Sequence, residues 1–291
     1  YATIDLVNEE GFVLEKIFIT QKSATVNMFH VEIAGTLENL VSTEELNNYE
    51  NVKITGQLNT FDYDYLKLAR DLKGVDLTDL DMNTIPASAF SGSSLQTVLL
   101  PKNLVIIPSR AFYQSEITSI KIPETVTEIG EYAFYQCKQI RGDLVIPSNV
   151  ESIGAYAFQF CHFDGKLTFL TSRLKEIKEN TFDCCRFTGD LELPLNIEKI
   201  GEYAFRSCNN FTGLFLNGNL LFIKDYAFYG CSGFEGNLII PDNVQTIGER
   251  AFYSCTGCKG SLVIGKNVVS LARQAFSQEL STYPNRYLAP L

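Results

Sequence analysis

Apolar residues in this chain come in short runs with a period of two, separated by polar stretches that each carry one Phe at a near-constant distance. In Leu144-Val145-Ile146 the two outer residues alternate with the middle one, the pattern of a short half-buried strand. Pro147 ends that strand, because proline donates no ladder hydrogen bond, and Pro101, Pro123, Pro194 and Pro241 repeat the stop. An Asn column follows at Asn103, Asn149, Asn196, Asn219, Asn243 and Asn267. Asn tolerates left-handed backbone angles and can bond to its own turn, so the column reads as a corner. Beyond the corner, Ile153, Ala157, Phe158 and Cys161 stand at i, i+4, i+5 and i+8, which predicts one apolar stripe on a short helix.

The unit recurs. Phe90, Phe112, Phe134, Phe158, Phe182, Phe205, Phe228, Phe252 and Phe276 follow one another at 22 to 24 residues, each preceded by Ala except Phe182, which follows Thr181. A strand column runs in phase: Val52, Val75, Val98, Ile120, Leu144, Leu167, Leu191, Leu214, Leu238 and Leu262. One coil cannot bury its own apolar face, whereas stacked coils share a continuous core. The expected fold is an α/β repeat solenoid, a right-handed superhelix with a parallel β-sheet on its concave face and short helical turns on its convex face. Ten coils at the usual ~4.8 Å strand spacing make a stack roughly 45–50 Å long.

The segments IPETVTEIGEYAFYQC (122–137) and IPDNVQTIGERAFYSC (240–255) closely resemble the BspA-like, or Treponema pallidum-type, leucine-rich repeats. The resemblance covers about residues 75–276. Residues 34–40 and 52–80 look like the N-terminal cap of that family's bacterial members. Lys178, Lys224 and Ala272 stand where the family prefers Gly, so that position is expected to need no left-handed backbone. The expected organisation is an N-terminal β segment over 1–34, the end of a preceding module; a capping region with the first repeat strand over 35–74; the leucine-rich repeat solenoid over 75–280; and a C-terminal tail over 281–291. The resemblance implies a secreted or cell-surface protein, with a signal or lipid anchor removed upstream. It also implies an adhesin-like role in binding host or matrix proteins.

Charge narrows the partners. With 24 basic and 34 acidic residues the net charge is −10, and no basic run offsets it along the sequence, which argues against nucleic acid. No apolar run reaches the ~18 residues that span a bilayer. Six of the eight cysteines, Cys137, Cys161, Cys185, Cys208, Cys231 and Cys255, lie three residues after the column Phe, and are expected to be reduced small core residues. The two histidines, His30 and His162, are far apart, and neither a nucleophile–base–orienter set nor a phosphate loop appears. The expectation is therefore no enzyme, no cofactor and no metal. Arg141-Gly142-Asp143 falls on repeat columns and is assigned a structural origin.

Two surfaces remain as candidates. The outward residue of each strand defines a concave column, and Val145, Thr168, Glu192, Phe215, Ile239 and Val263 are its candidate partner-binding residues. Three apolar residues in succession, Phe215, Ile239 and Val263, would form an exposed patch of the kind that marks contact sites. The second surface is a convex Tyr ridge of Tyr132, Tyr135, Tyr156, Tyr203, Tyr226, Tyr229 and Tyr253. The expected ligand is an extracellular protein or glycan, bound without catalysis. The alternatives are a structural spacer and a glycan-recognition accessory protein.

Overall fold

The computed structural model describes residues 2–7, 13–18 and 27–277. Residues 281–291, read from the sequence as a tail, lie outside the described residues. Strands β1 (Ala2–Val7) and β2 (Val13–Phe18) form an antiparallel hairpin. β3 (Asn27–Val31) opens a four-stranded parallel sheet that continues through β4 (Asn51–Gly56), β5 (Gly74–Asp76) and β6 (Thr97–Leu99). Three short helices, α1 (Leu37–Leu40), α2 (Thr43–Asn47) and α3 (Thr60–Leu66), lie between those strands. Buried Asp62 holds this region together. Its carboxylate accepts the backbone N–H groups of Gly35 (2.6 Å), Leu37 (3.0 Å) and Asn59 (2.9 Å), three donors that would otherwise be lost at loop and helix ends.

From here most coils carry two short strands. The coils supply, in order, β7 (Ile106–Ile107), β8 (Glu128–Ile129), β9 (Leu144–Ile146), β10 (Ser152–Ile153), β11 (Leu167–Phe169), β12 (Glu176–Ile177), β13 (Gly189–Glu192) and β14 (Lys199–Ile200). β15 (Phe211–Phe215), β16 (Phe222–Ile223), β17 (Leu238–Ile239), β18 (Thr246–Ile247), β19 (Leu262–Val263) and β20 (Ser270–Leu271) complete them. The first strands pair in parallel as β9–β11, β13–β15 and β17–β19, while the rung at Ile120 has no strand. The second strands form their own parallel ladders, β7–β8–β10 and β12–β14–β16–β18–β20. Residues such as Ile129, Ile153, Ile177 and Ile200 point into the core between the ladders.

The column Phe side chains form the axis of that core. Eight consecutive ring pairs from Phe90 to Phe276 stack with centroids 5.0 to 5.5 Å apart and planes within 18° of parallel. Phe163, Phe187, Phe211 and Phe234 make a second stack beside it.

Two expectations change. The Ile-Ala-Phe-Cys stripe is buried as expected, but the Ala-Phe segments are turns, not helices. In the Phe134 coil the amides of Ala133, Tyr135 and Cys137 bond three residues back, to Gly130, Tyr132 and Phe134. The intervening amides of Tyr132, Phe134 and Gln136 instead donate to Ala155, Ala157 and Gln159 of the next coil. An α-helix would need every amide to bond four residues back, so this alternation makes a row of β-turns hydrogen-bonded coil to coil. Left-handed residues two before and two after the Phe make the row possible, for example Tyr132 (φ 56°) and Gln136 (φ 57°). The second change concerns the Asn column, which is not left-handed. The side-chain amides of Asn149, Asn196 and Asn219 donate to the Glu124, Ser172 and Leu195 carbonyls of the preceding coil at 2.7 to 2.8 Å.

The Gly column before Ala-Phe has no left-handed backbone either, as Lys178, Lys224 and Ala272 indicate. Its reason is proximity, since a Cβ on Gly154 would sit 2.4 Å from the Glu131 nitrogen of the coil before.

Candidate partner-binding surfaces

The first strands present their middle residues outward, because neighbours in a strand face opposite sides. Lys53 and Asp76, at the N-terminal end of this column, are joined by a charge cluster in which Lys53 Nζ lies 2.5 Å from Asp79 and 3.6 Å from Asp76. Val145, Thr168 and Glu192 follow, all exposed. Phe215, Ile239 and Val263 end the column with 56%, 56% and 49% of their surfaces exposed. Ile239 and Val263 are register partners, Glu192 pairs with Phe215, and the Glu235 amide bonds Thr212 across the step between the two pairs. The three apolar side chains are thus successive rungs of one surface.

The tyrosines group into two clusters rather than one ridge. Tyr132 stacks on Tyr156 at 4.7 Å and Tyr113 on Tyr135 at 5.0 Å, with Arg110 against both stacks. Tyr203 stacks on Tyr226 at 4.8 Å and Tyr229 on Tyr253 at 5.3 Å, flanked by Arg206 and Arg250. All seven candidate rings are half-buried. Between the clusters lies the Phe182 coil, where Asn180 and Asp183 take the Tyr positions. Burial, with the carboxylates of Glu131 and Glu179 nearby, raises the Tyr132 hydroxyl pKa, and burial likewise raises Tyr156 and Tyr203.

Asp183 is fully buried. Its oxygens accept Arg206 Nε (2.8 Å) and Nη2 (2.6 Å) and Gln159 Nε2 (2.7 Å), a bidentate pair with a third donor. The sequence singles out the Thr181 departure but not this network, whose partners lie 23 and 24 residues away.

The ladder thiols are core residues, buried and hydrogen-bonded between coils. Each ladder Cys donates its S–H to the Phe carbonyl of the coil before, as in Cys161 to Phe134 (2.9 Å) and Cys185 to Phe158 (3.1 Å). Burial raises the pKa of Cys161, Cys185, Cys208 and Cys231 well above the ordinary thiol value. Half-buried Cys184 is pushed up to about 11 by burial and by Asp183. A nucleophilic cysteine needs the opposite shift and access; Cys137 is shifted down, against its burial, by hydrogen bonds to Cys161 and Ser115, but it is fully buried. His30 bonds Thr55 Oγ1 (3.0 Å) in the N-terminal sheet, and His162 lies far along the stack, facing away from the core that holds Cys161.

One grouping is invisible along the sequence. Lys138, His162 and Arg186 occupy the position after the ladder Cys in three consecutive coils, with Arg141 beside them. The coil period supplies the signal, because 24-residue spacing brings single basic residues together that no local window would connect.

Among the described residues, no helix is long and apolar enough to cross a membrane. The family model of the BspA type leucine rich repeat region matches residues 39–141, 141–259 and 222–283, in six copies. The chain belongs to the BspA-type leucine-rich repeat family. This BspA-type chain is similar in fold to the pneumococcal vaccine antigen PcpA, with 19% identity over 78% of its length and a TM-score of 0.38, and it spans 66% of that chain. A leucine-rich cell surface protein from Faecalibacterium prausnitzii is 18% identical over 90% of this chain and 93% of its own, with a TM-score of 0.44. The T. pallidum leucine-rich repeat protein is 19% identical over 80% of each chain, with a TM-score of 0.31. No curated protein matches the BspA-type chain in sequence.

Proposed function

We propose that this BspA-type protein is a non-catalytic, secreted or cell-surface binding module that docks a protein partner on its first-strand face. The observation that carries the reading is the run of Phe215, Ile239 and Val263, three successive rungs each about half exposed. β-propensity favours all three residue types on a strand, but it does not account for three such apolar side chains left about half in water on successive rungs. A rigid sheet holds the three side chains in place before binding, so little ordering entropy opposes contact. The net charge of −10 favours a neutral or basic partner surface. Adhesin-like binding of host or matrix proteins is the form this takes, by analogy with the family.

The purified chain is screened against extracellular-matrix proteins, with Phe215→Asp and Ile239→Asp in parallel. Both residues are exposed, so the variants fold, and each is expected to weaken capture at least about tenfold, as a loss at an interface centre does. Undiminished capture by both variants removes the strand face as the site.

A further inference from the structure

We propose that Lys138, Arg141, His162 and Arg186 form a binding site for a sulfated glycan on the edge of the solenoid. The positions after Cys137, Cys161 and Cys185 repeat in register, so Lys138, His162 and Arg186 form a column with ~5 Å between rungs, roughly 10 Å from first to last. Arg141 leans back into this column, where its Nη1 donates to the carbonyls of Lys138 and Ile140, both at 2.8 Å. The His162 ring faces that same Lys138 carbonyl, which sets imidazole and guanidinium side by side. Lys138, Arg141 and Arg186 are exposed, and among the described residues none has a carboxylate within 4 Å. On the second-strand face, by contrast, Arg173, Lys175 and Lys199 are each paired with a glutamate.

Two carboxylates bound the site. Glu116 stands one rung before Lys138, and Asp164 Oδ1 is engaged by the Gly142 amide at 2.8 Å. The surplus of positive charge is therefore local, on a chain whose net charge is −10. A nucleic-acid duplex would bring the rest of that acidic surface against its own dense charge. A short, flexible sulfated sugar chain needs only the three rungs. Burial and the cations Arg186, Arg141 and Lys138 lower the His162 pKa, so the ring is neutral at pH 7.5 and gains its charge as pH falls. A bound sulfate offsets those cations and favours the protonated ring, so binding tightens in acid.

The test is titration of the full chain with a heparin-derived octasaccharide at about pH 7.5 and about pH 5.5, bracketing histidine ionisation. Binding is expected at both, tighter at the lower pH. Arg141→Ala combined with Arg186→Ala is expected to lower affinity at least about tenfold, as loss of two charge contacts should. Lys175→Ala leaves affinity unchanged, and His162→Gln removes the gain at low pH. No binding at either pH, or undiminished binding by the Arg141/Arg186 variant, overturns the site. Equal affinity for the desulfated octasaccharide or for a short DNA duplex overturns the assignment to a sulfated glycan.

Discussion

At the residue scale, burial decides what an ion pair is worth. Arg206 and Arg173 each meet one carboxylate at 2.6 Å, but Asp183 is fully buried and Glu151 is mostly exposed. Removing Arg206 strands a charge in the core, whereas removing Arg173 returns Glu151 to water. In urea unfolding, Arg206→Ala is expected to lose about 3–5 kcal/mol and Arg173→Ala less than about 1 kcal/mol. Similar losses for the two would mean that water reaches Asp183. The thiol column is also a residue-scale matter, and part of it is legible in the sequence. Its period shows a small buried residue, and Ser93 and Ser115 fill the same buried position in the earlier coils. The acceptor, a Phe carbonyl of the preceding coil, comes only with the stacking.

At the element scale, the helical expectation fails for a specific reason. The apolar spacing i, i+4, i+5, i+8 fits a helix, yet a row of β-turns buries the same four side chains. The row has the further merit of sending alternate amides to the next coil. This requires left-handed residues, and Tyr, Arg, Gln, Ser, Asn, Phe160 and Cys184 occupy those sites as well as Gly92 and Gly230. A non-Gly residue there is strained by roughly 1–2 kcal/mol. Ser207 (φ 56°) occupies the site that Gly230 fills one coil later. Ser207→Gly is therefore expected to stabilise by about 0.5–1 kcal/mol, a reversal of the usual penalty for Gly, measured as a rise in thermal midpoint. A fall in the midpoint would place the Ser207 side chain among the stabilising contacts.

For the whole molecule, the stacked thiols link stability to pH. Unfolded cysteines lose their protons near pH 9, while Cys161, Cys185, Cys208 and Cys231 hold theirs well above it because burial disfavours the thiolate. With the folded pKa raised, the contribution is fully present below about pH 9 and is lost as pH climbs toward the folded values. Each thiol accounts for about 1.4 kcal/mol per pH unit in that window. Unfolding midpoints at pH 8 and pH 10 should therefore fall apart more for the natural chain than for Cys185→Ser with Cys208→Ser. An identical drop would remove the thiols as the cause. Equally, the three basic residues of the Cys-adjacent column and the three apolar rungs of the strand face are surfaces of the whole stack, since no single coil carries either.

The repeat period, the strand column and the Phe column are properties of the sequence, because a buried ring every 22 to 24 residues can be satisfied only by coils that stack. Which amides bond along the chain and which bond across it was decided by tertiary structure. The same holds for the partners of Asp183 and for the convergence of Lys138, His162 and Arg186. Each of these joins residues one coil or more apart, and the contact exists only once neighbouring coils lie in register at van der Waals distance.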